Sequence, residues 1–396
     1  MTDRATENES ENGCAELQSP FPYFGGKSRI APLVWKRFGK VRNFVEPFAG
    51  SLAVLLARPH PFSGTETISD LDAYLENFWR AVQADPEAVA SHMDWPVNEV
   101  RLEAVHKWLV TRERKREHAL RMKDELDYFD AKIAGYWCWG LCCWIGRGWC
   151  AGEWVGPESE ENAGCGINVR DPERGGKMPQ IHRPHGVHRQ IPNVYRSQGV
   201  HRQMPHLSIG GGMGVHRAFN GQGDADLGEC ARRTGVLIHW MRLLSDRLRN
   251  VRVVCGDWSR VCGPTPTFLL GTTAVFLDPP YSAEAGRDSE IYSHESGTAA
   301  HDVRGWCLEQ GPNPKMRIAL CGYEGEGHEE LEAAGWEVVA WKAGGGYGVQ
   351  GTKKRGEAYV NKHRERIRFS PACISADAID MPLFAGLNGH ALPSDL

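Results

Sequence analysis

The chain has 396 residues, of which 41% are hydrophobic, so it is long enough for two or three domains around a substantial core. Its formal net charge of −4 excludes a uniformly basic nucleic-acid-binding protein, so any contact with nucleic acid must come from local clusters. Residues 1–19 are polar and acid-rich, and no apolar run approaches about 18 residues, which predicts neither export nor a membrane span. The 12 cysteines lack regular pairing, which predicts free thiols in a reducing compartment.

Two glycine-containing motifs stand near the start of the chain. The first, Pro22–Lys27, reads Pro-Tyr-Phe-Gly-Gly-Lys, and the second, Asn43–Ser51, predicts a strand that runs into a tight turn and a helix over 52–57. Gly50 permits close backbone approach, and Ser51 is a suitable helix cap. Free N–H groups at the helix start favour a carboxylate or another polar head group, as in a cofactor-binding loop.

The next predicted strand, Thr67–Asp70, ends in an acid about twenty residues after the glycine loop, where a carboxylate can accept from ribose hydroxyls. Asp70 is therefore the ribose candidate. Residues 70–134 predict long helices whose charge is concentrated in Arg112–Lys123. A solvated face is the default interpretation of that charge, and a phosphate-tracking face is the alternative.

Residues 135–150 contain four tryptophans and four cysteines. Cys138 and Cys142 have helical spacing, and the cysteine pattern differs from the usual zinc patterns. Buried thiols among aromatic rings are therefore predicted, and no metal site is predicted. Arg147, in the Gly-Arg-Gly stretch that follows, is a candidate DNA contact.

A basic region follows, because residues 171–220 hold seven Lys or Arg against two acids. A Gly-Val-His-Arg repeat occurs three times, at 186–189, 199–202 and 214–217, and its composition favours loops or short hairpins. Base reading in the major groove, backbone contact and a low-complexity spacer all remain open for it. The DNA-binding candidates here are Arg183, Arg189, Arg202 and Arg217.

The segment Val251–Trp258 predicts a strand with a Gly-Asp-aromatic end. From the residues alone, Asp257 is interpreted as a helix-capping aspartate and Trp258 as a packed core tryptophan, and these interpretations compete with a ligand-binding role.

An apolar run over 274–277 leads into Asp278-Pro279-Pro280-Tyr281. The two prolines lack N–H donors and fix the chain direction. The Asp278 carboxylate and the Pro279 carbonyl can then accept both hydrogens of one exocyclic amino group, while Tyr281 stacks on its ring, which indicates a nucleobase ligand. A plain edge feature with a capping carboxylate is the alternative.

Strands are also predicted over 316–323, 336–341 and 365–370. Strands that alternate with helices indicate a doubly wound α/β domain, in which ligands bind at the carboxyl ends of the strands.

In this order, the motifs resemble the Dam-like, D12-class adenine-N6 DNA methyltransferases over residues 21–370. The resemblance implies an α/β, Rossmann-like S-adenosylmethionine-dependent methyltransferase fold with an inserted target-recognition region. The catalytic domain would comprise residues 20–95 and 236–370, and the insertion residues 96–235, between tails at 1–19 and 371–396.

The resemblance also implies roles for individual residues. Leu52 departs from the family pattern, which often has a second glycine there, and we expect its side chain to face the core from the first helical turn. The implied catalytic residues are Asp278, Pro279, Pro280 and Tyr281, and the implied cofactor-binding residues are Tyr23, Gly25, Lys27, Glu46, Phe48, Gly50, Ser51, Asp70, Asp257 and Trp258.

The implied activity is site-specific transfer of a methyl group from S-adenosylmethionine to a flipped-out adenine of double-stranded DNA. A noncatalytic DNA-binding regulator, a methyltransferase for RNA adenine or cytosine N4, and transfer of a group other than methyl remain alternatives. The resemblance further implies a cytoplasmic monomer or weak dimer of bacterial or viral origin, with no membrane association and with a restriction endonuclease as the expected partner.

Overall fold

The computed structural model describes residues 17–23, 26–125, 127–144, 149–150, 229–280, 299–341 and 364–379. Within these ranges the chain forms a seven-stranded sheet with the order β3-β2-β1-β4-β5-β7-β6. Strands β3, β2, β1, β4 and β5 are parallel, and β7 is antiparallel to both of its neighbours. The strands are β1 (Asn43–Glu46), β2 (Thr65–Asp70), β3 (Val251–Cys255), β4 (Thr273–Leu277), β5 (Met316–Tyr323), β6 (Glu337–Ala340) and β7 (Glu365–Phe369).

The strand order reverses between β1 and β4. The chain passes from β1 to β2 and β3 on one side, and then continues from β4 to β5 on the other side. Residues of β1 and β4 are buried throughout, as expected for central parallel strands covered on both faces. Open α/β sheets bind ligands in the crevice at such a reversal, outside the carboxyl ends of the strands.

Helices cover both faces of the sheet. One hydrophobic cluster packs α1–α5, α7 and α8 on one face of the sheet, through side chains such as Trp35, Phe44 and Trp240. A second cluster packs α9 and α10 on the opposite face, through Val303 and Leu331. This arrangement confirms the predicted Rossmann-like α/β fold. The helices are α1 (Ala31–Phe38), α2 (Ala53–Leu56), α3 (Ala73–Ala84), α4 (Pro86–Met93), α5 (Glu99–Val110), α6 (Arg112–Asp124), α7 (Ala131–Cys143), α8 (Glu229–Leu248), α9 (Ala299–Gln310), α10 (Glu329–Ala333) and α11 (Ala376–Ile379).

Short polar side chains set where several helices begin. Asp72, Asp85, Asn98 and Asp130 each accept a hydrogen bond from a backbone N–H in the first turn of α3, α4, α5 and α7. These caps divide residues 70–134 into shorter helices than the sequence predicted, while the helical character is confirmed. No described helix combines the length and the apolar composition that crossing a bilayer requires.

A buried ion-pair triad attaches α8 to the sheet. Glu66 of β2 accepts hydrogen bonds from Arg58 at 3.0 Å and from Arg247 of α8 at 2.7 Å and 2.8 Å, and all three side chains are at most 5% exposed. Arg58 and Arg247 also donate to the carbonyls of Val41 and Leu55. Buried charges are tolerated only when they are paired in this way, so the triad fixes α8 against the end of α2.

An aromatic cluster joins the N-terminal segment to α3 and α7. The ring of Phe21 lies 5.2 Å from Phe78, 5.6 Å from Trp79 and 5.1 Å from Trp137, measured between centroids. The thiols of α7 and the turn after it are buried in the same core cluster as these rings and form no disulfide within the described residues, which confirms the prediction of buried thiols among aromatic rings. They belong to Cys138, Cys142, Cys143 and Cys150.

Candidate active site

Four acidic residues follow neighbouring strands at one edge of the sheet. Glu46 ends β1, Asp70 ends β2, Asp257 lies just beyond β3, and Asp278 directly follows β4. The reversal of strand order therefore brings the two predicted motifs, the glycine loop and the Asp-Pro-Pro turn, to adjacent strand ends.

Asp278 is ion-paired with Lys27. The Lys27 Nζ lies 2.6 Å from Asp278 Oδ2, and the side chains are 5% and 17% exposed. The Lys27 carbonyl accepts the N–H groups of Ile30 and Ala31, so the lysine is held at the start of α1. Burial disfavours the ammonium charge, but the charge and hydrogen bond of Asp278 together with Cys321 and Glu365 outweigh burial and raise the pKa of Lys27 above its ordinary value. Lys27 therefore remains protonated and fixes the orientation of the carboxylate.

The glycine loop needs Gly50 for two reasons. Its φ is 48°, a left-handed conformation that side chains disfavour, and an added Cβ would lie 2.9 Å from Cε1 of Tyr23. The Gly50 N–H donates to Asp70 Oδ2 at 3.3 Å, and its carbonyl accepts from the Trp79 indole at 3.2 Å. The loop thus connects the N-terminal motif, β2 and α3.

The start of α2 differs from the sequence prediction. Leu52 precedes the helix with φ 55° and ψ 26°, although its side chain is fully buried as expected. Ser51 does not cap the helix, because the residue before the first turn is Leu52 and no side chain at that position makes a capping bond. One of the N–H groups expected to be free there is occupied, since Leu55 N–H donates to Glu46 Oε2 at 3.1 Å. Burial raises the pKa of Glu46 well above its ordinary value.

Both carboxylate oxygens of Asp70 accept backbone hydrogen bonds. Its Oδ1 accepts from the N–H of Asp72 at 3.0 Å, and Oδ2 accepts from Gly50. Burial raises the pKa of Asp70 to about 7, partly offset by the N–H groups of Asp72 and Gly50. The sequence analysis did not single out the next residue, Leu71, whose large apolar side chain is 40% exposed at the end of β2.

Beyond β3, Gly256 N–H donates to the Asp70 carbonyl at 2.9 Å, which continues the pairing of the two strands. Asp257 is exposed and accepts from Ser259 N–H at 2.9 Å, so it caps the short 3₁₀ helix Trp258–Val261. This bond is the helix cap that the sequence offered as the structural interpretation of Asp257. The role of Asp257 in cofactor binding stays a prediction.

Two half-buried aromatic rings flank the same crevice. Phe48 and Trp258 have ring centroids 6.4 Å apart and planes inclined by 26°, and Trp306 meets Trp258 edge-on at 6.2 Å. Trp258 therefore packs against the core on one side while it faces the glycine loop on the other.

Several predicted site residues lie outside the described ranges, and their roles remain predictions. Pro279 is buried and Pro280 half-buried after β4. The residues outside are Gly25, Tyr281, Arg147, Arg183, Arg189, Arg202 and Arg217.

A family model of D12 class N6 adenine-specific DNA methyltransferases matches residues 23–129. The match contains the glycine loop and Asp70, and it ends before the strand that leads into Asp278. No curated protein matches the chain. The match supports adenine-N6 DNA methylation as the activity, S-adenosylmethionine is the donor that the family implies, and the strand order agrees with that class of fold.

Proposed function

We propose that the methyltransferase transfers a methyl group to N6 of an adenine flipped out of double-stranded DNA, in the crevice between the ends of β1 and β4. The observation that carries this proposal is the Asp278 carboxylate, held by Lys27 at the end of β4 beside the glycine loop. S-Adenosylmethionine would supply the methyl group: the carbon–nitrogen bond forms as the carbon–sulfur bond breaks, the sulfonium sulfur leaves as a neutral thioether, and the amino nitrogen loses one proton by way of the Asp278 carboxylate.

The Asp-Pro-Pro turn activates the amine in this proposal. The amino nitrogen of adenine is a poor nucleophile because its lone pair is delocalised into the ring. When Asp278 and the Pro279 carbonyl accept its two hydrogens, electron density returns to nitrogen. The ion pair with Lys27 orients the carboxylate before the substrate arrives, so little reorganisation is needed during the reaction. Tyr281 is assigned to stacking on the flipped base.

The residues of the crevice are suited to binding the methyl donor, S-adenosylmethionine. Asp70 offers a carboxylate to ribose hydroxyls, while Phe48, Trp258 and Leu71 offer apolar surface to an adenine ring. Gly50 lets the backbone of the loop approach a ligand closely. The Tyr23 ring lies so near Gly50 that a Cβ there would be too close to it, so we assign Tyr23 to shaping the loop. Because Glu46 already accepts a helix N–H inside the protein, we assign it to holding the loop in shape.

Access to N6 requires base flipping, because an adenine paired within a duplex cannot reach Asp278. Flipping costs a few kcal/mol, which contacts to the flanking DNA must offset. We assign site selection to the insertion at 96–235 and keep Arg147, Arg183, Arg189, Arg202 and Arg217 as its DNA-contact candidates. A restriction endonuclease partner, a monomeric or weakly dimeric state, and a cytoplasmic setting in a bacterium or its virus belong to the same proposal.

The test expresses the chain in cells that lack adenine methylation and measures N6-methyldeoxyadenosine in digested DNA by mass spectrometry. We expect the nucleoside with the wild type and at least an approximately 100-fold decrease with Asp278→Asn, the scale of losing one preorganised group. Asp246→Asn is the matched control, because this exposed aspartate is paired with Arg249 between α8 and the amino end of β3, while the crevice lies at the carboxyl ends of the strands.

The outcomes separate the alternatives. If the purified Asp278→Asn variant binds adenosine, its crevice is folded. Loss of methylation by that variant then shows that the Asp278 carboxylate is needed for the reaction itself. Full methylation by Asp278→Asn would contradict the assigned role. Methylated RNA adenine or N4-methylcytosine in place of N6-methyldeoxyadenosine would overturn the substrate, and no modified nucleoside at all would favour a noncatalytic regulator.

A further inference from the structure

Three cations on three successive helices rest on aromatic rings away from the crevice. Each places its charged group over a ring, and together with the rings they form what we call the cation–aromatic surface. Its members are Arg101 of α5 over Trp95 at 3.3 Å, Arg114 of α6 over Trp108 at 4.3 Å, Lys132 of α7 over Trp108 at 5.4 Å, and Tyr136 of α7.

The surface is continuous. Tyr136 accepts a hydrogen bond from Arg101 at 3.2 Å, and its ring meets the Trp108 ring edge-on at 6.0 Å. Lys132 is exposed, and Arg101 and Arg114 are half-buried, so all three residues remain at least partly accessible to solvent. The helices α5, α6 and α7 therefore present one connected row of charge.

Among the described residues, no ion pair joins Arg101, Arg114 or Lys132 to a carboxylate. Two other cations of these helices are paired, Lys107 with Glu103 at 2.9 Å and Arg121 with Glu125 at 2.7 Å. A cation–aromatic contact is worth about 0.5–1 kcal/mol at an exposed site and leaves the positive charge intact.

Such a row suits a polyanion. Arg114 donates one N–H to the Trp108 carbonyl at 3.1 Å, and Arg101 donates one to Tyr136. A guanidinium has five N–H donors, so each arginine keeps others that can donate to phosphate oxygens. The ring also limits the side chain's rotamers, so less conformational entropy is lost when a ligand is bound. A DNA duplex presents one phosphate charge per about 1.7 Å of its axis, so several phosphates lie within reach of three neighbouring cations.

The surface is rigidly connected to the active site. Lys132 and Tyr136 lie on α7, whose Trp137 packs on Phe21, two residues before Tyr23. Trp79, which also contacts Phe21, donates to the Gly50 carbonyl. DNA held by the row would therefore be held in a fixed relation to the glycine loop.

We propose that the cation–aromatic surface contacts the phosphodiester backbone of the substrate DNA duplex. This inference rests on the proposed function for its partner, and it names residues outside the basic repeats. The contact is electrostatic and independent of sequence, so it holds the duplex without selecting the target site.

The test measures binding of a fluorescent DNA duplex by anisotropy between about 50 and 200 mM salt. Arg101→Gln, Arg114→Gln and Lys132→Gln are each expected to reduce the slope of log K against log salt by about 0.9, and the triple variant by about 2.7. Arg121→Gln is the matched control. Arg121 lies on α6 and over a ring, Tyr128 at 4.0 Å, but it is paired with Glu125 through two hydrogen bonds.

An unchanged slope in the single and triple variants would overturn the proposal. An equal reduction in Arg121→Gln would overturn it too, because net charge alone would then explain the effect. A reduction seen with an RNA duplex and absent with DNA would reassign the partner. Thermal unfolding of each variant identifies loss of fold, and the single substitutions keep the test decisive if the triple variant is unstable.

The two proposals fail separately. If the wild type methylates DNA while the triple variant keeps the wild-type slope, this surface is excluded and the proposed function stands. If the wild type yields no methylated nucleoside while the variants lower the slope, the surface binds DNA and the proposed activity fails.

Discussion

Leu52 allows a sharp test of how the glycine loop is built. It occupies a left-handed conformation, φ 55° and ψ 26°, with a fully buried side chain, directly before α2. That conformation costs an L-residue about 1–2 kcal/mol, and it costs glycine nothing comparable. The strain persists because burial of a leucine side chain contributes about 1.5–3 kcal/mol in the other direction.

The perturbation compares Leu52→Ala and Leu52→Gly with the same pair of changes at Leu55, which is also fully buried but lies within α2. Each alanine variant should lose about 2.7–5.0 kcal/mol of unfolding free energy. Replacing alanine by glycine inside a helix costs about 1 kcal/mol more, and losing the last buried methyl about 0.8 kcal/mol. At Leu52 relief of the left-handed strain returns about 1–2 kcal/mol. The loss of unfolding free energy on going from the alanine variant to the glycine variant should therefore be about 1–2 kcal/mol smaller at position 52 than at position 55.

Urea unfolding with linear extrapolation measures all four variants, and equal slopes would show that the unfolded states are comparable. The comparison cancels the methyl and entropy contributions, because both sites exchange the same side chains. If glycine is less stable than alanine by the same amount at both positions, Leu52 is not strained and the reasoning is refuted.

Three further predictions concern the charged groups. Lys27→Met should lower kcat by about 100-fold while changing adenosine affinity far less, because it frees the orientation of Asp278; equal losses in both would instead make Lys27 a cofactor ligand. Since burial raises the pKa of Asp70 to about 7, adenosine should bind more tightly as pH rises to about 7 and then level off, and a calorimetric titration of Asp70→Asn should lack this dependence. Glu66→Gln leaves two buried guanidinium groups without their partner and should lower the unfolding free energy by about 3–5 kcal/mol; a loss below about 1 kcal/mol in urea would contradict the triad's role.

Part of the fold could be read directly from the sequence. The apolar run before Asp278 is β4, and the predicted strand at 316–323 is β5 with the same bounds. Central parallel strands are buried on both faces, so they appear as continuous apolar runs whatever surrounds them. The match of residues 23–129 to the methyltransferase family confirms the resemblance that the N-terminal motifs carried.

The glycine loop shows where local rules fail. Cap preferences favour Ser51 at the helix start, and the structure uses the carboxylate of Glu46, which reaches the N–H of Leu55 from the preceding strand. Propensity also places Leu52 in the helix, but in the structure Leu52 precedes the helix in a left-handed conformation. Burial of its side chain compensates for that conformation. In both cases a tertiary contact outweighs a local preference of about 1 kcal/mol.

The sequence by itself determined the class of the protein and the order of its motifs, because strand periodicity and turn chemistry are properties of neighbouring residues. Only the tertiary structure decided that Lys27 meets Asp278 and that Gly50 meets both Tyr23 and Asp70. It also decided that Arg101, Arg114 and Lys132 share one surface. These contacts depend on which strand lies beside which and on how helices pack over them, and that choice is made by burial of both sheet faces at once, which local periodicity does not encode.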